Sequence, residues 1–127
     1  KEAKVLITSA PQYIQGLTNA KVDLTSTSVT TLYTCPTTVT FSVINSILVS
    51  EDSGNADTLT LTLTNGSDVF SLFKVKAVDA NGTVELLTKD LVLKSTEILK
   101  VTAATANRLH VVASIQEFLL SRAGAVS

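Results

Sequence analysis

The sequence contains no tryptophan and no methionine, and only one cysteine, one histidine and two prolines among its 127 residues. Each scarcity removes a class of chemistry. A single cysteine, Cys35, excludes an intrachain disulfide and fits a protein made in a reducing compartment. Any Ser-His-Asp or Cys-His arrangement would have to run through His110, the one histidine. Cys35 and His110 lie far apart in sequence, in ordinary strand contexts, so a surface strand histidine is the simpler reading. One Cys and one His cannot build a structural zinc site. The lack of tryptophan weakens any sugar-stacking platform. A net charge of −1 gives no electrostatic footprint for nucleic acid. Apolar runs are far too short to span a bilayer. The opening stretch KEAKVLITSAPQ has no long apolar core, so no signal peptide is expected. Neither a phosphate-binding loop nor a dinucleotide fingerprint occurs. The expectation is a non-enzymatic protein with no cofactor, no metal, no nucleic-acid partner and no membrane partner.

Two weaker signals have bland alternatives. Glu51, Asp52 and Asp57 cluster around a Gly-containing turn, and loop carboxylates could hold calcium. Their spacing matches no EF-hand, and solvated acids at a turn are the commoner case. Asn65-Gly66-Ser67 and Asn81-Gly82-Thr83 match the glycosylation sequon but read as turns.

What the chain has in quantity is Val, Leu, Ile and Ala interleaved with Thr and Ser. The stretch Asp57–Lys76 shows the pattern best. Leu59, Leu61 and Leu63 alternate with Thr58, Thr60, Thr62 and Thr64, the period of a strand with one buried face. Asn65-Gly66 then suits a two-residue hairpin turn. That turn predicts a register in which Leu61 faces Phe70, Leu59 faces Leu72 and Asp57 faces Lys74. It also turns Val69, Phe73 and Val75 to the opposite face, an apolar row that something should cover.

Elsewhere the chain divides into an extended amino-terminal arm (1–19), a β domain (20–118) and a short tail (119–127). The alternative for the arm is a first strand plus a loop packed on its own domain. Two short strands are expected before Pro36. Val39–Ser50 reads as a long strand with Val39, Phe41, Val43, Ile47 and Val49 on one face. Asn45 in that row demands hydrogen-bond partners or a bulge. Short strands follow at Thr83–Leu87, Leu91–Leu93 and Ile98–Ala103. Leu109, Val111, Ala113 and Ile115 share a face of the last strand, and Ser114–Arg122 is the one stretch that could instead be helical. Turn signals recur roughly every ten residues, as in a sandwich or jelly roll. The expected fold is an all-β antiparallel sandwich, jelly-roll-like, of about eight strands. Its core should hold Leu59, Leu61, Leu72, Phe41, Val43, Leu99, Val101, Val111 and Ala113.

Several stretches resemble small β-sandwich virion proteins of tailed bacteriophages. These are Thr31-Leu32-Tyr33-Thr34-Cys35-Pro36 with the strand after it, the Asp57–Phe73 hairpin, and Val84-Glu85-Leu86-Leu87 leading into Leu91-Val92-Leu93. Leu99-Lys100-Val101-Thr102-Ala103 with Leu109–Ile115 closes the set. The resemblance covers most of Val29–Phe118 and carries no catalytic residue. It implies a structural subunit of the virion, made in the bacterial host cytoplasm: a decoration or cement protein on the head, with neck or tail attachment next. Its partners would be its own copies, three-fold favoured, and other virion proteins such as the major capsid protein. Val69, Phe73, Val75, Tyr13 and Ile14 are the expected subunit-interface residues. The alternative from another class is a small carbohydrate-binding module.

Overall fold

Runs that alternate Thr or Ser with branched apolar residues favour extended, half-buried backbone, and among the described residues nine strands form, several of them on such runs. The structure, a computed structural model, describes residues Pro11–Arg122. The strands are β1 (Pro11–Asp23), β2 (Thr30–Thr34), β3 (Phe41–Glu51), β4 (Asp57–Asn65), β5 (Asp68–Val78), β6 (Thr83–Glu85), β7 (Leu91–Lys94), β8 (Ile98–Ala103) and β9 (Leu109–Arg122). Among the described residues there is no helix, and Ser114–Arg122 is strand.

Every pairing is antiparallel, and the strands form two sheets. One has the order β1-β9-β3-β6, with β7 also pairing β3; the other has the order β2-β8-β4-β5. The chain pairs as if folded double: β1 with β9, β2 with β8, β3 with β6 and β7, β4 with β5. With β6 and β7 counted as one interrupted strand, this is the jelly roll, as the alternation and turn spacing imply. The core lies between the sheets. Leu59, Leu61, Leu99 and Val101 project from one side, and Ile44, Ile47, Val49, Leu109, Val111, Ala113 and Ile115 from the other.

Two register details differ from expectation. On β3 a bulge falls at Asn45, between Ile44, which pairs with Ile115, and Ser46, which pairs with Ser114. An extra residue reverses the inward parity. Ser42 and Ile44 point inward before the bulge; Ile47, Val49 and Glu51 do so after it. Phe41 and Val43 therefore leave the expected core for the outer face. Glu85 fills the gap in the ladder at the bulge. Its carboxylate accepts the Ile47 N–H at 2.8 Å, the Leu87 N–H at 3.1 Å and the Ser46 hydroxyl.

In the β4–β5 hairpin the central turn residues are Gly66 and Ser67, because Asn65 pairs with Asp68. Gly66 takes the positive φ of 64°, as the first position of a II′ turn requires. Phe70 then faces Leu63 rather than Leu61. Two bulges in β5 shift the pairing further, so Phe73 faces Leu61, Lys76 faces Leu59 and Val78 faces Asp57. The expected Asp57–Lys74 pair does not form. Leu72 is half-buried, packed against the core.

Residues 11–19, read from the sequence as arm, are the first two-thirds of β1, and their whole length pairs with β9. Lys1–Ala10 lie outside the described residues. The expected tail begins as the end of β9, which runs to Arg122.

Candidate assembly surface

Several acidic side chains hold loops and strands together. Glu51 ends β3 inside the core boundary, 2% exposed. Its carboxylate accepts the N–H groups of Ser53, Gly54, Asn55 and Asn81 and the Ser53 hydroxyl. Burial alone would raise its pKa, but these hydrogen bonds to the charged form prevail and hold it down at about 2. Asp57 accepts the Thr105 N–H at 3.1 Å. Asp52 faces His110 instead, at 3.6 Å from Nδ1, and Asp23 lies 3.2 Å from Nε2 on the other side. The three acids of the candidate calcium cluster thus have three separate sets of partners. Among the described residues no group of three or more His, Cys, Asp or Glu side chains could hold a metal.

Between the sheets, the Tyr33 hydroxyl donates to Glu117 at 2.5 Å and lies 2.7 Å from the Ser42 hydroxyl. Burial, then the bond to Glu117, pushes the phenol pKa well up. Ser42 also contacts the Cys35 sulfur at 3.2 Å. Cys35 is fully buried, and burial pushes its thiol pKa up. This cluster ties β2 to β3 and β9; a high thiol pKa and no access make it unfit for nucleophilic work.

The sheets also carry exposed apolar surface. On β5, Val69, Phe70 and Val75 are 63%, 54% and 59% exposed. Phe73 is different: it packs against the core and lines a shallow cleft of about 280 Å³ with Leu72, Leu86, Leu87 and Leu91. Tyr13 and Ile14 pair with Leu120 and Leu119 on β1, in the other sheet; their side chains lie outside the described residues. Since β1 meets β2 and β5 meets β3, the five expected interface residues fall on two separate parts of the molecule.

A second apolar zone, missed from the sequence, lies on the outer face of the five-stranded sheet. Leu17 on β1, 78% exposed, Val43 on β3 and Val92 on β7 lie in one row across it. In the next row Phe41 stacks on Phe118, with ring centroids 5.0 Å apart and planes 16° from parallel. Asn45 was the available signal: a bulge there turns the Phe41–Val43 row outward.

No protein-family model matches the sequence, and no curated protein sequence matches it. Solved structures do share the fold. A chain of the Bacillus endospore appendages, described as disulfide-linked pili, superposes with a TM-score of 0.55 at 10% identity, over 88% of this chain and 93% of that one. A capsid chain of Helicobacter pylori bacteriophage KHP30 gives 0.51 at 12% identity, over 89% and 99%. A chain of infectious bursal disease virus gives 0.51 at 8% identity, over 90% of this chain and 33% of that one. At such identities the likeness is one of fold. Of these three, one is a pilus chain and two are viral chains, and the pilus and KHP30 chains are matched nearly end to end.

Proposed function

We propose that this chain is a non-enzymatic structural subunit of a phage particle, a decoration or cement protein on the head, with neck or tail attachment as the next position. The observation that carries the reading is a jelly roll whose core is closed while valines, leucines and a phenylalanine stay exposed on both sheets. Apolar rows of that kind mark contact sites. The end-to-end likeness to the KHP30 capsid chain supports a phage setting. Its partners would be its own copies, around a three-fold axis, and the major capsid protein. A disulfide-linked pilus subunit is less favoured, because the one cysteine in the sequence is buried.

A mass-spectrometric count of this chain in purified particles that encode it tests the reading. Many stoichiometric copies per particle are expected. Its absence from the particle would overturn the reading, and specific binding on a glycan array would replace it with the carbohydrate-binding alternative.

A further inference from the structure

A jelly roll leaves its sheets with open edges, and proteins normally blunt such edges. Three of the four sheet edges here are blunted. β5 carries two bulges and the charges Lys74 and Lys76. β2 has 5 residues, and the edge opposite β1 is broken into β6 and β7, of 3 and 4 residues. The remaining edge is β1. It runs for 13 residues with no register shift against β9, and Gln12–Ala20 contains neither charge nor proline. Among the described residues nothing pairs with its outer side.

Which of its backbone groups are free follows from one bond. The Leu24 N–H donates to the Leu109 carbonyl, and Asp23 pairs with His110. Even-numbered residues of β1 therefore bond to β9, and the N–H and C=O groups of Tyr13, Gln15, Leu17, Asn19 and Lys21 point away from it. Leu17 is the midpoint of Pro11–Asp23 and the most exposed large apolar residue described.

We infer that β1 pairs antiparallel with β1 of a second copy about a two-fold axis through Leu17, joining the two larger sheets into one. This register uses the whole strand. Leu17 meets Leu17, Gln15 meets Asn19, Tyr13 meets Lys21, and Pro11 meets Asp23 of the second copy. Only odd-numbered residues form the bonded pairs, which is what the free groups require, and about ten main-chain hydrogen bonds result. No like charges come opposite one another, and the two leucines cover each other on the outer face. An edge about 40 Å long and one sheet deep, about 10 Å, buries roughly 400 Å² per copy before side chains, at the weak end of specific interfaces. The contact is separate from the β5 patch and holds whether or not the chain belongs to a particle.

Light scattering of the full chain at about 100 μM tests it, at a concentration suited to a weak contact. The expected result is a dimer mass, or a doubled one where copies also assemble through β5. Leu17→Lys and Leu17→Asp should each halve that mass while staying folded, and an equimolar mixture of the two should restore it. Leu17→Pro should give a folded monomer, because it removes only an outward N–H. Thr18→Pro, whose N–H bonds to β9, should lose thermal stability instead. A monomeric wild type at this concentration overturns the inference. So does a mass that Leu17→Lys leaves unchanged. An oligomer dispersed by Leu6→Asp would assign the edge to the segment before β1 and overturn it equally.

Discussion

Individual residues carry opposite kinds of information in this chain. Leu61 was legible as core from its Thr neighbours alone, and it is fully buried. Leu61→Ala should cost about 2–5 kcal/mol, read by chemical denaturation. Glu51 looked like one of three solvated acids at a turn, because nothing in Glu51-Asp52-Ser53-Gly54-Asn55 says which carboxylate turns inward. Its partner Asn81 comes from another loop. A folded-state pKa of about 2, below the ordinary 4.5, means the ionised form is the one the fold prefers. That stability is complete above the ordinary range and is lost as pH falls from there towards the folded value. Melting temperature should therefore drop over that interval, and Glu51→Gln should start lower at neutral pH and drop less. Parallel curves for the two proteins would remove Glu51 from the account. Cys35, buried beside Ser42, should resist a thiol reagent in the native protein and react once unfolded.

At the level of elements, periodicity found the strands and missed their irregularities. The β4–β5 hairpin was visible because Leu-Thr alternation ends at an Asn-Gly pair. Its register was not, because a bulge is one extra residue with no composition of its own. β5 contains two, and together with the turn they move Asp57 from Lys74 to Val78. Asn45 was the exception, a polar residue in an apolar row that marked the β3 bulge. The β5 irregularity also leaves Val75 at a φ of 54°, its N–H donating to the Thr60 hydroxyl at 3.1 Å. A β-branched residue is strained there. Val75→Gly should therefore stabilise the isolated protein by about 1 kcal/mol, the left-handed penalty less the entropy glycine adds. If the valine serves a contact, the same change should weaken assembly.

For the whole molecule, fold class and approximate strand number were readable, and the pairing of β1 with β9 was not. No local pattern reports which distant strands meet, so residues 11–19 looked like an arm. Which of the proposed contact residues share a surface is equally a matter of distant pairing. Val69 and Val75 are exposed, but Phe73 faces the core side of the hairpin. Charge at these positions should thus act differently. Val69→Asp should leave the melting temperature nearly unchanged and, under the proposed function, reduce incorporation into particles. Phe73→Asp should lower stability first, because it places a carboxylate against core side chains. Equal behaviour of the two variants in thermal melts would show that the inward placement of Phe73 does not matter.

The doubled-over path of the chain also sets its folding kinetics. Of the strand pairings, only β4–β5 is joined by a tight turn; β2 must find β8 and β1 must find β9 across most of the sequence. Closing such loops costs entropy before any contact repays it. Refolding should therefore fall in the millisecond-to-second range typical of non-local β topologies. Mutations at Leu63, beside the turn, should slow refolding. Mutations at Ala20, on the β1–β9 ladder, should mainly speed unfolding. Stopped-flow measurements on the two variants would show whether the hairpin or the outermost ladder forms first.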